Sequence, residues 1–305
     1  MPTELDQRVR KWIVGSLPGE ARLRWAHHIP AGTSARLDAV DVMLDGKRVQ
    51  LVLRRFTDKQ WLKLEPDLVA HEAAALAWAS NANVPVPTLL AFDSDGRDSG
   101  GAPATLTSML PGAPQLRPDD MAHWLAGMAA AALEIHRLDA DGFPWTYRRY
   151  NAGTELEVPG WSRKPDAWYR AIDIVNSEPP RARECFIHRD FHPSNVLWAD
   201  DKVTGVVDWV NACRGPVGID IAWCRHNLAN LYGVEVADDF LEAYSRLAGF
   251  EYVYDPFWDL MTVVELLPGP PTMYAGWVAE GFPYISTDVL AERLDQYVAS
   301  VVSRL

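Results

Sequence analysis

The sequence predicts an α+β chain in two lobes. A small antiparallel β-sheet lobe with one helix set into it is expected over residues 1–110, and a larger, mainly helical lobe over residues 111–305. Three observations carry this. β-rich runs separated by Asp45-Gly46 crowd the stretch from Arg22 to Phe56. The Pro- and acid-rich segment PGAPQLRPDD (111–120) then reads as a connector. Beyond it, apolar residues recur mainly at helical spacing.

Taken in order, Leu5, Val9, Trp12, Ile13 and Leu17 share one helical face, so a helix is expected over 4–17, ended by Pro18 and Gly19. A strand, the turn PAGTSARL and a second strand follow. Asp45-Gly46 then makes a hairpin to a third strand, because both residues accept the positive φ that tight hairpins require. DLVAHEAAALAWAS (67–80) is rich in strong helix formers. VPVPTLLAFDSDG and ATLTSMLPG read as two short strands bounded by Pro85, Pro87 and Pro103. In the second lobe MAHWLAGMAAAALEIHRLD (121–139) is a helix, and one further helix lies around Ala167 to Val175. VLWADDKVTGVVDW makes a hairpin, and the remainder is mostly helical.

Hydrophobic residues at 48% and charged residues at 23% are ordinary globular values, and 305 residues can bury a sizeable core. A net charge of −12 argues against nucleic-acid partners, which need a basic surface, and suits either a cationic small molecule or simply solubility. Three cysteines without paired spacing, and no secretory h-region near the start, predict a reduced, cytoplasmic protein; separately, a monomer or homodimer is expected. No uninterrupted apolar run reaches the ~18 residues of a membrane span.

The densest polar segment is CFIHRDFHPSNVLW (185–198). Zinc binding by His188, Asp190 and His192 would need a further ligand and a regular geometry that Pro193 disfavours. Nucleophilic catalysis has little support. Cys185 borders an apolar run, and no Gly-x-Ser-x-Gly elbow occurs. Phosphoryl transfer needs a carboxylate to take the proton of an attacking hydroxyl, and oxygen ligands to hold Mg²⁺ on the nucleotide phosphates. Asp190 as base, Asn195 five positions later and Asp208 in the apolar strand GVVDW supply that set. Taken singly, each could instead cap a turn or end a strand.

His188-Arg189-Asp190, Asn195, the GVVDW segment and the following RGPVGIDIAW together resemble the aminoglycoside phosphotransferase and choline kinase-like family, relatives of protein kinases. The resemblance runs over roughly residues 25–250. It implies a bilobal, protein kinase-like fold, ATP or GTP as phosphoryl donor, and Mg²⁺ held by Asn195 and Asp208. It also makes Asp190 the catalytic base, His188 a structural member of the loop, and Asp220 a brace for it.

A kinase-like first lobe needs a phosphate loop, a cation on the third strand and an acid on the next helix. Gly32, Thr33 and Ser34 of IPAGTSARL could meet a phosphate through their backbone amides. On the third strand Arg54 stands where lysine is usual. Strand alternation puts it on the opposite face from Arg55, and Glu72 is its expected partner. Backbone groups of Ser108, Met109 and Leu110 are placed to meet the purine. Arg189 is a second departure: many antibiotic kinases of the group carry glycine there, whereas protein kinases carry arginine.

The expected reaction is γ-phosphoryl transfer to a hydroxyl of a small acceptor. That acceptor is either antibiotic-like (an aminoglycoside, macrolide or relative) or a metabolite. Segments 145–170 and 255–285 are expected to line its site with Trp145, Trp161, Trp168, Trp258, Tyr274, Trp277, Glu155, Glu157 and Glu265. Arg54 motivates the alternative of a kinase-like nucleotide binder with weak or no transfer.

Overall fold

The computed structural model describes residues 4–30, 35–250 and 252–305. The α+β expectation holds. Two compact units divide the chain: Met1–Asn81, Pro85–Pro111 and Gly205–Asn211 make one, and the remaining residues make the other.

The first unit is built on an antiparallel sheet in the order β1-β2-β3-β5-β4. Its strands are β1 (Ala21–Ile29), β2 (Arg36–Leu44), β3 (Lys47–Arg55), β4 (Leu89–Asp93) and β5 (Ala104–Ser108). At the β2–β3 hairpin Asp45 and Gly46 have φ of 49° and 78°, the pair of positive values that a two-residue turn demands. Helix α1 (Gln7–Gly15) is too short to persist alone. It is held because Val9 and Ile13 are wholly buried against Val40, Val42, Leu51 and Leu53, each such burial stabilising by ~1.5–3 kcal/mol. It ends at Gly15, before the predicted stop at Pro18.

A short helix α2 (Lys59–Leu64), absent from the sequence reading, starts where Asp58 Oδ1 accepts from the amides of Gln60 and Trp61. Helix α3 (Leu68–Ala79) follows and buries Leu68, Val69, Ala73 and Leu76. The segment 205–211 belongs with this unit through Val210, which packs on Phe56, Leu68 and Val69.

The second unit carries the helices α4 (Met121–His136), α5 (Pro165–Val175), α6 (Val217–Tyr232), α7 (Val234–Ala248), α8 (Phe257–Val264), α9 (Ala275–Ala279) and α10 (Thr287–Val302). Strands β7 (Glu184–Ile187) and β10 (Cys213–Pro216) pair antiparallel. A small sheet joins β6 (Ala113–Pro114), β8 (Val196–Ala199) and β9 (Lys202–Val206) in the order β6-β8-β9.

Helix α6 is buried on nearly every side, and Gly218 explains how it fits. A Cβ at that position would meet the Trp258 ring of α8 at 2.2 Å, so the helices approach through a glycine. Cys185, Cys213 and Cys224 are buried free thiols, raised by desolvation, and they pack as small apolar groups.

Candidate active site

In the first unit, β3 places Arg54 inward and Arg55 on the opposite face, as alternation requires. Arg55 Nη2 donates to Asp38 at 2.9 Å, whereas Arg54 Nη1 donates to Glu72 Oε1 of α3 at 2.8 Å and to Asp208 Oδ1 at 2.6 Å. Thr105 of β5, the register partner of Arg54, donates to the other Glu72 oxygen at 2.9 Å. Burial opposes the Arg54 charge, but Asp208 and then Glu72 outweigh it and hold the guanidinium above its ordinary value. The expected Arg54–Glu72 partnership is therefore present, and Asp208 joins it.

One placement is corrected. Asp208 does not lie in a strand: β9 ends at Val206, and Asp208 follows with φ 68°, ahead of a 3-10 turn at Trp209–Asn211. The apolar GVV run ended the strand two residues earlier than its pattern suggested.

Gly32, Thr33 and Ser34 lie outside the described residues. Of the purine-contact group, Ser108 donates its amide to Thr88 O at 2.9 Å and Met109 its amide to Gln50 O at 3.1 Å. Both amides are engaged by the sheet edge, so a purine contact there would use the Leu110 amide or carbonyl groups.

In the second unit the loop between β7 and the 3-10 turn Pro193–Asn195 carries Asp190 and Asn195. Its backbone is fixed by Asp220, in the first turn of α6. The amides of His188 and Arg189 donate to the two Asp220 oxygens at 2.7 and 2.6 Å, and His136 Nε2 lies 3.1 Å from one of them. Asp220 is thus the brace that the resemblance implied. His188 is scaffolding as expected, its Nδ1 accepting from the Asp190 amide at 3.3 Å. Asn195 Nδ2 donates to Asp190 O at 2.8 Å and approaches Oδ2 at 3.4 Å, tying both ends of the loop together. Trp223 Nε1 donates to Asp190 Oδ1 at 2.7 Å.

Arg189 is buried between the rings of Tyr147 and Tyr150, 4.5 and 4.1 Å from their centroids, and pairs with Glu265 at 3.4 Å. Burial raises the Glu265 carboxyl despite that partner. Glu265, expected at an acceptor surface, is instead committed to Arg189 and Tyr147. Trp168, Trp258 and Trp277, expected to line the same surface, are core residues at 0%, 6% and 3% exposure. Their segments were aromatic for packing.

Three contacts were missed by sequence reasoning: Trp223 on Asp190, Glu265 on Arg189, and Glu280, which accepts from Ser194 Oγ at 2.6 Å. Only Trp223 had a signal, since it follows Asp220 by three residues and so shares its helix face.

On that same face, burial and then His192 push the His226 imidazole down to about 4 from 6.5. The folded state keeps it neutral while the unfolded chain takes up a proton over that interval. Stability from this group is therefore complete above pH 6.5 and lost as pH falls to about 4, by about 3 kcal/mol in full. His226→Gln flattens this part of a denaturant-midpoint profile against pH; an unchanged slope would refute the assignment.

Among the described residues no trio of His, Cys, Asp or Glu is arranged to hold a metal ion, and no helix is long and apolar enough to cross a membrane. The second unit holds an Asp-Asn loop braced by a buried carboxylate, and the first a cation pinned between a helix glutamate and a second aspartate. The fold and these two clusters define a kinase-like class. The model of the Phosphotransferase enzyme family matches residues 26–264, and the chain belongs to that family.

It is similar to the homoserine kinase of Bradyrhizobium diazoefficiens, 27% identical over 186 residues and covering 54% of each chain. The homoserine kinase of Gluconacetobacter diazotrophicus is 28% identical, over 52% of this chain and 51% of that one. The chain spans about half the length of the curated relatives it matches.

Among solved structures, its fold is similar to a thermostable mutant of an aminoglycoside phosphotransferase in ternary complex with ADP and hygromycin B. The TM-score is 0.61 at 16% identity, covering 97% of this chain and 98% of that one. A macrolide 2′-phosphotransferase from Brachybacterium faecium matches with a TM-score of 0.56 at 18% identity, covering 79% and 82%.

Proposed function

We propose that the protein is a small-molecule kinase that moves the γ-phosphoryl group of ATP or GTP to a hydroxyl of a small acceptor. The observation that carries this reading is the Asp190–Asn195 loop, whose backbone is anchored on both oxygens of the buried Asp220. In the transfer, the acceptor oxygen forms a bond to phosphorus while the β,γ-bridging oxygen leaves with the nucleoside diphosphate. Asp190 takes the hydroxyl proton. Family membership and the homoserine kinase and antibiotic phosphotransferase relatives support an alcohol acceptor. The net charge of −12 favours one that carries an amine.

The first unit would bind the nucleotide, through Arg54 with Glu72 behind it, the segment at Gly32, Thr33 and Ser34, and the edge at Ser108, Met109 and Leu110. Both Arg54 ion pairs run through Nη1 and its Nε is buried, so Nη2 is the donor that would meet a phosphate. The second unit would provide catalysis and acceptor binding. Asn195 in the second unit and Asp208 in the first each carry the kind of oxygen that a hard cation takes. Asn195 commits its amide nitrogen to the loop carbonyl, so its oxygen would be the ligating end, and Asp208 would add a carboxylate. Mg²⁺ held by them would supply charge neutralisation for the nucleotide phosphates.

The Arg54–Asp208 pair, at 2.6 Å, is the specific observation favouring the alternative of a binder with weak transfer, because a guanidinium already occupies the proposed metal acid. A transfer screen over aminoglycosides, macrolides and metabolite alcohols with ATP and GTP separates the two. Asp190→Asn is expected to lower kcat by about 10²–10⁴-fold while nucleotide-induced thermal stabilisation persists. Turnover that survives Asp190→Asn removes Asp190 as base. Nucleotide binding with no turnover on any acceptor favours the alternative.

A further inference from the structure

We propose that Trp223 is a positioning residue for phosphoryl transfer, holding the Asp190 carboxylate in one rotation through its indole N–H; this rests on the kinase reading of Asp190. Three side-chain contacts on that carboxylate are described. Trp223 Nε1 reaches Oδ1 at 2.7 Å, Asn195 Nδ2 reaches Oδ2 at 3.4 Å, and His192 Nε2 lies 3.6 Å from Oδ1. Only the first has the length of a strong hydrogen bond to an ionised acceptor. The pinned oxygen is therefore Oδ1, and the longer contact on Oδ2 gives way more readily to an acceptor hydroxyl.

The residue type suits the task. An indole N–H donates and cannot accept, so it cannot compete for the proton that Asp190 must take. It is also neutral, so it orients the carboxylate without placing a full positive charge beside the base. A tryptophan ring has few rotamers, and this one lies against His226, with centroids 5.6 Å apart. The helix beneath it is immobilised by the close approach at Gly218. One turn earlier Asp220 holds the loop backbone. Helix α6 thus grips the loop at two levels, main chain through Asp220 and reacting side chain through Trp223.

The test compares Trp223→Phe, which removes the donor and keeps a ring, with Trp223→His. Imidazole Nε2 lies as many bonds from Cβ as indole Nε1, so the donor is retained. Trp223→Phe is expected to lower kcat by about 10–100-fold, with the nucleotide KM little changed, and Trp223→His to recover most of that loss. Rates are read on the best acceptor of the screen, or as nucleotide hydrolysis by water if none is found. Thermal melts check that both variants fold.

A second arm needs no substrate. The indole ¹⁵N–¹H resonance of Trp223, assigned by its disappearance in Trp223→Phe, is expected to move upfield in Asp190→Ala as the hydrogen bond is lost. Undiminished kcat in Trp223→Phe, or a resonance indifferent to Asp190→Ala, overturns the proposal. If the wild type turns over neither acceptor nor water, the kinase reading fails. The resonance then decides alone whether Trp223 holds Asp190.

Discussion

Arg54→Ala is expected to lower the unfolding free energy by ~3–5 kcal/mol, whereas Asp208→Asn costs about 1 kcal/mol or less. The two carboxylates touch the same guanidinium nitrogen, and Asp208 is the nearer, at 2.6 Å against 2.8 Å. Distance alone would make Asp208 the stronger partner; burial reverses the order for stability. The Glu72 side chain is 6% exposed and that of Asp208 32%, so solvent screens the second pair and not the first. Removing Arg54 leaves the buried Glu72 carboxylate with the Thr105 hydroxyl as its remaining described donor, which is the costly outcome for a buried charge.

It follows that Arg54→Ala and Glu72→Ala together cost less than the sum of the two, since the double variant leaves no stranded carboxylate on α3. Function divides the other way. Asp208→Asn, nearly neutral in a urea melt, is expected to abolish the Mg²⁺-dependent part of nucleotide-induced thermal stabilisation. A urea melt in which Asp208→Asn costs as much as Arg54→Ala would show that exposure does not set the ranking.

The same contrast explains how much of the site was legible in the sequence. Arg54 and Glu72 could be paired in advance because the resemblance called for a cation on the third strand and an acid on the next helix, and strand alternation then chose Arg54 over Arg55. Asp190 and Asn195 could be given roles because they lie five positions apart on one loop, whereas the role of Asp220 came from the family resemblance. What could not be read is contact between segments far apart in sequence with no shared period. Arg189 meets Glu265 across 76 positions, and Ser194 meets Glu280 across 86.

The misplaced tryptophans fail for a related reason. Trp258 and Trp277 sit in short helices where periodicity does not separate a core ring from a pocket ring, whereas Trp168 shares one face of α5 with the buried Ala171 and Val175, a spacing that marks it as core. Asp208 falls just beyond where pattern fails, because an apolar run does not say at which residue the backbone turns to positive φ.

Asp220→Ala should be the most damaging change in the second unit. The carboxylate is wholly buried and accepts from two loop amides and faces one imidazole, so its removal strands buried donors at ~1–3 kcal/mol each. Asp220→Asn should cost less, because the amide oxygen still serves one backbone N–H while its NH₂ faces the other. The damage reaches chemistry through Arg189, whose φ of 71° is one that a side-chain-bearing residue adopts at a cost of ~1–3 kcal/mol and keeps only when its surroundings impose it.

Asp220 Oδ1 on the Arg189 amide, the Tyr147–Tyr150 sandwich and Glu265 are those surroundings. Without the first, the peptide before Asp190 relaxes and the Asp190 carboxylate leaves its place. Hydrogen exchange should therefore show the His188 and Arg189 amides losing protection in Asp220→Ala ahead of the rest of α6, with kcat falling before global stability fails. Arg189→Gly provides the discriminating background. Glycine adopts φ 71° without strain, so the conformational part of the Asp220→Ala defect should shrink there, while the cost of the stranded amides stays. Equal losses in the two backgrounds would mean that Asp220 acts through hydrogen-bond satisfaction alone and not by holding the loop in its strained conformation.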